Sequence, residues 1–116
     1  MAIPSGSGTE VLKRAAFHAL SDAWTAVITG VANHIYTVLS VVASEQGDSA
    51  ESIYMRVDIS AAGSNQVGLL QGQSLSNEET FIWNDKIVLT GTDKLEVYNT
   101  PGNVDWYVTY IDQDFS

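Results

Sequence analysis

FIWNDKIVLTGTDKLEVY, Phe81 to Tyr98, carries the plainest secondary-structure signal in the chain. Ile87 and Leu89 alternate with Lys86 and Val88. The tetrad Thr90-Gly91-Thr92-Asp93 interrupts, and Leu95 and Val97 resume the pattern beside Lys94 and Glu96. A period of two broken by a polar tetrad containing glycine predicts two antiparallel strands joined by a tight connection. Such a hairpin is barely stable alone and needs further strands over its apolar face. The segments on either side supply them.

Val104 to Ile111 predicts the last strand, with Val104, Trp106, Val108 and Tyr110 opposite Asp105, Tyr107, Thr109 and Ile111. Asn99-Thr100-Pro101-Gly102-Asn103 is the turn before it, since Pro fixes one dihedral and Gly frees the next. Asp112 to Ser116 is a polar tail in which Phe115 is the one aromatic, the residue type that anchors a tail in a groove. Upstream, Thr80 to Trp83 enters a strand that Asn84-Asp85 bulges or breaks, and Val67 to Leu70 is a short strand. Ser52 to Ser60 alternates Ile53, Met55, Val57 and Ile59 inward with Tyr54, Arg56 and Asp58 outward, which gives one buried and one wet face. Gly63 in the loop that follows is free to take a positive φ. Ile35 to Ala43, IYTVLSVVA, is apolar on both faces in places, as expected of a central strand covered on both sides or placed near a subunit contact. Trp24 to Thr29 is a short strand with Trp24, Ala26 and Ile28 on one side.

Glu10 to Leu20, EVLKRAAFHAL, fits two readings. Val11, Leu12, Ala15, Ala16 and Ala19 share one helical face, with Ser7 and Glu10 spaced as a capping box, but three turns are marginal without packing. The other reading is an extended strand. Residues 1–9, MAIPSGSGT, read as an N-terminal arm, because Gly and Ser beside Pro4 bury little surface unless they lie on something. Seven to eight short strands with turn signals between them, and no crossover helices, predict an all-β, antiparallel, jelly-roll-like β-sandwich over residues 10–116.

The chain of 116 residues, 45% of them hydrophobic, is enough for one domain. It has no cysteine, so thiolate chemistry and disulfide staples are excluded. No apolar run is long enough to span a bilayer, and Met1 to Ser5 lacks the basic and hydrophobic parts of a signal peptide. Fourteen acidic residues against five basic give a formal charge of -9, which disfavours nucleic acid and anionic membranes as partners.

The chemistry-bearing residues form no catalytic pattern. His18 and His34 are the only histidines, and neither lies in a ligand-spaced motif, so no metal is expected. The carboxylates Glu78, Glu79, Asp85, Asp93, Asp105, Asp112 and Asp114 offer pairs for glycoside hydrolysis, yet short loops leave little to wall a cleft. Asp112-Gln113-Asp114 and Glu45-Gln46-Gly47-Asp48 lack a complete calcium loop, and Ser5-Gly6-Ser7-Gly8 lacks the strand and lysine of a phosphate loop. The expectation is a non-enzymatic protein with no cofactor. The aromatics say more: Trp24, Trp83 and Trp106 suit the core, while Tyr54, Tyr98 and Tyr107 fall on outward phases. Tyr beside Asp or Arg on a strand face suits a protein interface or a stacked sugar ring.

GVANHIYTVLSVV (Gly30 to Val42), VGLLQGQSL (Val67 to Leu75), NDKIVLTGTDKLEVY (Asn84 to Tyr98) and VDWYVTYID (Val104 to Asp112) together resemble small β-sandwich structural proteins of tailed bacteriophages. Lys86, Val88, Leu89 and Leu95 fit the hairpin pattern of that group, while one residue separates Gly91 from Asp93. The resemblance covers Glu10 to Asp114 and implies that Glu10 to Leu20 is a strand. It implies a virion part, assembled in the host cytoplasm, and carries no catalytic residues across. A lone domain with an arm points to capsid decoration (cement) on the head surface rather than a fibre. The partners it implies are the major capsid protein and further copies of the chain, as a homo-oligomer such as a trimer. The alternative is a tail or fibre component with a carbohydrate-binding surface for host glycans. On this reading the arm and one sandwich face contact the shell while acidic loops face water. The interface candidates are Ile3 and Pro4 in the arm, with His34, Tyr54, Arg56, Tyr107 and Phe115.

Overall fold

The computed structural model describes residues 9–19, 23–47, 49–100 and 102–116, and the arm residues Ile3 and Pro4 lie outside that range. The described residues form nine strands and one short 3-10 turn: β1 (Thr9–Ala19), β2 (Thr25–Thr29), β3 (His34–Glu45), β4 (Glu51–Asp58), the turn Ile59–Ala61, β5 (Gln66–Leu75), β6 (Thr80–Trp83), β7 (Ile87–Thr90), β8 (Lys94–Asn99) and β9 (Val104–Asp114). Two antiparallel sheets face one another. The first runs β1-β9-β3, with β6 and β7 end to end along the far edge of β3; the second runs β2-β8-β4-β5. The pairs are nested, since β1 meets β9, β2 meets β8, β3 meets β7 and β4 meets β5. A long hairpin of nested pairs rolled into two sheets is the jelly roll. Eight jelly-roll strands become nine because Asn84 to Lys86 break one of them, as its sequence suggests.

Residues 10–20 are extended from Glu10 to Ala19, the outcome expected of the strand reading. β9 supplies the partner that a marginal helix would have lacked, pairing with β1 along its whole length. Three expectations fail. The tetrad Thr90 to Asp93 does not close a hairpin: β7 pairs with β3 in the first sheet, whereas β8 pairs with β2 and β4 in the second. Its chain reverses between sheets instead of between neighbours. Asp112 to Asp114 are no tail, because they continue β9 opposite His34 to Tyr36. Trp24 and Ile28 do not share a side, since a register shift between Ala26 and Ile28 turns Ile28 into the core and leaves Trp24 outside.

The core lies between the sheets. β3 contributes Tyr36, Val38, Val41 and Ala43; β4 contributes Ile53, Met55 and Val57; β7, β8 and β9 add Leu89, Leu95, Val97, Val104, Trp106 and Val108. Each such side chain fully buried is worth about 1.5–3 kcal/mol. Trp106 is the largest, and its indole N–H donates to Asn99 Oδ1 at 3.2 Å.

The loop acids Glu78, Glu79 and Asp85 face water as expected and Asp93 does not, while several strand acids are also turned inward. Glu45, Glu51, Asp58, Asp93 and Asp112 are buried. Glu45 accepts from the backbone N–H groups of Gly47 and Glu78, and Asp58 from that of Gly63, while Glu51 accepts from the Thr100 and Ser49 hydroxyls. Asp93 takes Thr90 N–H at 3.0 Å and Ser60 N–H at 2.8 Å, and its own carbonyl accepts from Gly30 N–H at 2.8 Å. Buried carboxylates at strand ends therefore satisfy loop donors that would otherwise be orphaned.

Candidate functional site

Pairing fixes which side chains share a face, because directly opposed residues point the same way. On the outer face of the first sheet this aligns two rows. One is Leu12-Ile111-Thr37-Val88, read across β1, β9, β3 and β7; the other is Ala16-Tyr107-Val42-Ile82, ending on β6. Leu12 is 68% exposed, Val88 59%, Ile82 54% and Tyr107 42%. These two mainly apolar rows alternate on this face with polar ones, Arg14-Thr109-Ser40 between them and His18-Asp105-Ser44-Thr80 beyond. Beside Tyr107 lies an open, mainly apolar depression of about 320 Å³, walled by Ala16, Phe17, Val42 and Trp106, with His18 and Asp105 at its rim.

The outer face of the second sheet is different. Trp24 lies over it, in aromatic contact with Tyr98 (centroids 5.4 Å apart) and Tyr54 (6.4 Å), and the two tyrosines meet edge-to-face at 5.3 Å. The Arg56 guanidinium carbon sits 3.7 Å from the Trp24 ring centre, and Arg56 Nε donates to Glu96 at 2.8 Å. The Arg56 side chain is 22% exposed and Trp24 38%, so the indole stays accessible while the cation beside it is held. A shallow hollow of about 200 Å³ adjoins the ring, bordered by Gln66, Gly68, Leu70 and Gln71 of β5. Register shifts in the β4–β5 pairing lie at this level.

The sequence-derived candidates thus divide between two faces. Tyr54 and Arg56 belong to the second sheet, and Tyr107 to the first. His34 is engaged internally: Nδ1 lies 2.7 Å from Asp112 Oδ1, Nε2 lies 3.4 Å from Asp114 Oδ1, and the ring stacks on Tyr36. Lys13 Nζ reaches the other Asp112 oxygen at 2.8 Å. Burial alone would raise the Asp112 carboxyl, but hydrogen bonds from Lys13 and His34 outweigh it and hold the group below the usual carboxylate value. The same bond raises Lys13, and burial raises Tyr36. Phe115 is half-buried, tied by its backbone N–H to Asn33 O at 2.9 Å.

Sequence reasoning missed Leu12, Ile82 and Val88 as surface residues. Val88 sits opposite the core positions Ile87 and Leu89 in an alternating segment, which is the signal that marks it, whereas the runs around Leu12 and Ile82 do not alternate and carry no such signal. Trp24 was missed because the bulge that turns it outward has no sequence signature. His18 pairs with Asp105 at the opposite end of the first sheet from His34, so the two histidines do not meet. Among the described residues no group of three or more His, Asp or Glu converges as a metal cage would.

The class that this fold defines is the jelly-roll β-sandwich, and the chain resembles viral capsid and pilus subunits in structure. A subunit from Bacillus endospore appendages, described as a novel family of disulfide-linked pili, superposes with a TM-score of 0.56 at 10% identity, covering 100% of this chain and 97% of the other. A chain of the acid-stable capsid of Helicobacter pylori bacteriophage KHP30 gives 0.55 at 10% identity, covering 96% and 92%. A chain of infectious bursal disease virus strain Gx gives 0.58 at 8% identity; 96% of this chain is covered but only 34% of the viral one, so it spans about a third of that length. No family model matches the chain, and no curated protein matches it by sequence.

Proposed function

We propose that the chain is a non-enzymatic structural subunit of a virion, a capsid decoration protein that docks on the outer head shell through the outer face of its first sheet. The observation that carries this reading is the set of large apolar side chains exposed on one sheet face, Leu12, Val88, Tyr107 and Ile82, because exposed apolar side chains gathered on one face mark a protein contact. The fold shared with capsid chains supports it. In this reading the residues that precede β1 act as an arm laid over the neighbouring subunit, with Ile3 and Pro4 as its anchors; Thr9, read with the arm in the sequence, belongs to β1. Tyr107 is the central contact, since an aromatic beside a depression is the usual hot spot of an interface.

Cryo-electron microscopy of the source particle tests the location. Regular density over the head lattice, first sheet towards the shell, is expected; density confined to the tail overturns decoration. Binding to particles stripped of the protein tests the face. The double variant Leu12→Glu/Tyr107→Glu should retain its β-type circular dichroism and bind at least about tenfold more weakly, the equivalent of about 1.4 kcal/mol.

One observation favours a second reading, a tail component that recognises host glycan. The partly exposed Trp24 indole, with Arg56 over its ring and Tyr54 and Tyr98 against it, borders a hollow to which Gln66 and Gln71 bring amide donors and acceptors. Glycan-array binding that Trp24→Ala abolishes would support this reading, and an array without signal would remove it.

A further inference from the structure

The two apolar rows run from one edge of the first sheet to the other, and both edges are unpaired among the described residues. We infer that these edges pair with each other between copies: β1 of one copy adds to the β6–β7 edge of the next, so that the first sheets join head to tail. This deepens the assembly reading above by naming a second copy of the chain as the partner of both edges.

Strand direction comes first. β1 is antiparallel to β9, β9 to β3, and β3 to both β6 and β7. A copy placed alongside with its sheet in the same orientation therefore presents β1 antiparallel to β6–β7, the pairing with the better hydrogen bonds. Side-chain level comes second. Val88 ends one row and Leu12 begins it, while Ile82 ends the other and Ala16 begins it. Joining the edges continues both rows across the junction, with Leu12 of one copy beside Val88 of the next. Two apolar side chains near the start of β1 are exposed, one on each face of the strand, Val11 at 46% and Leu12 at 68%.

Charge comes third. Two of the five basic residues, Lys13 and Arg14, lie on β1. Lys13 is paired to Asp112, but Arg14 makes no ion pair among the described residues. Arg14 is level with Thr109 of β9 and Ser40 of β3. On the far edge that level falls between Trp83 and Ile87, the break that holds exposed Asp85 beside Lys86. Glu78 and Glu79 lead into the same edge. Joined in this way, the unpaired Arg14 of one copy lies level with Asp85 of the next, while Lys13 stays committed to Asp112. A heterologous contact of this kind closes into a ring or propagates as a filament.

Cysteine pairs test this directly, because the chain has no cysteine of its own. Within one copy Leu12 and Val88 are separated by β9 and β3, three strand spacings or about 14 Å, too far for an internal disulfide. Under mild oxidation, with no capsid shell present, the folded Leu12→Cys/Val88→Cys protein should give a ladder of covalent multimers on a non-reducing gel. The control Leu12→Cys/Val67→Cys, which moves the second thiol to the other sheet, should give none beyond dimers. Adding Arg14→Glu should weaken the ladder at least about threefold, and adding Asp85→Arg to that variant should restore it. A ladder in the control, efficient dimers of Leu12→Cys alone through β1 against β1, or a protein that stays uncrosslinked and monomeric at high concentration would each overturn the pairing. None of these outcomes bears on whether the outer face binds a shell, so the two readings fail separately.

Discussion

At the scale of single residues, Asp112 ties this protein's stability to pH. Asp112 is held below the ordinary carboxylate value, so the unfolded chain takes up a proton first as pH falls. The stability that it contributes is therefore present above the unfolded value and is lost as pH drops through the lowered folded value. Asp112→Asn should cost about 1–3 kcal/mol at pH 7, by leaving Lys13 and His34 with a weaker acceptor. That gap should narrow as pH falls below the ordinary carboxylate value, which urea unfolding at pH 7 and at about pH 3 will measure. The tryptophans give a second contrast. Trp106 Nε1 has a partner in Asn99, whereas Trp83 Nε1 is buried with none. Trp106→Phe should lose about 1–3 kcal/mol, while Trp83→Phe should stay within about 1 kcal/mol of the parent, because it removes an unsatisfied donor with its bulk.

At the scale of elements, the reversal between β7 and β8 is the piece most worth testing. Asp93 ties together three stretches that are distant in sequence: its side chain holds Thr90 and Ser60, and its carbonyl holds Gly30. Ser60 and Ala61 are in the left-handed region at φ 59 and 54, a conformation that the Asp93 contact helps to hold. Asp93→Ala should destabilise the fold by about 2–4 kcal/mol, since two backbone donors lose their acceptor. Gly30→Ala should be as harmful for a different reason. A Cβ there runs into the backbone carbonyl oxygens of Gly91 and Asp93, which cannot step aside without opening the reversal. Thermal unfolding of both variants checks this. The alternation in this segment had marked both strands and the turn between them correctly, but the same pattern serves a hairpin and a crossing between sheets. Nothing local distinguishes the two, because the difference lies in partners supplied by β2, β3 and β4.

At the scale of the whole molecule, the nested pairing makes the last strand the centre of the first sheet. β9 lies between β1 and β3 and brings Val104, Trp106 and Val108 into the core. A chain cut after Asn103 should therefore fail to fold, visible as loss of the β-type circular dichroism signal, although it keeps eight of the nine strands. Folding of the full chain should be slow, on the order of milliseconds to seconds, because its pairings join distant segments. What the sequence determined by itself is what depends on near neighbours: the strands around Ser52 to Asp58, Ile87 to Thr90, Lys94 to Asn99 and Val104 to Ile111, the side of each that faces the core, and where Gly63 and the Asn84-Asp85 break interrupt. These follow from parity and backbone preference, which act over a few residues. Only the tertiary structure decided that Tyr54 and Tyr107 occupy opposite faces, that Trp24 reaches across to Arg56, that His34 is spent on Asp112, and that Leu12 and Val88 end one row. Such facts depend on strand order and register, and these are set by the packing of two sheets against one core.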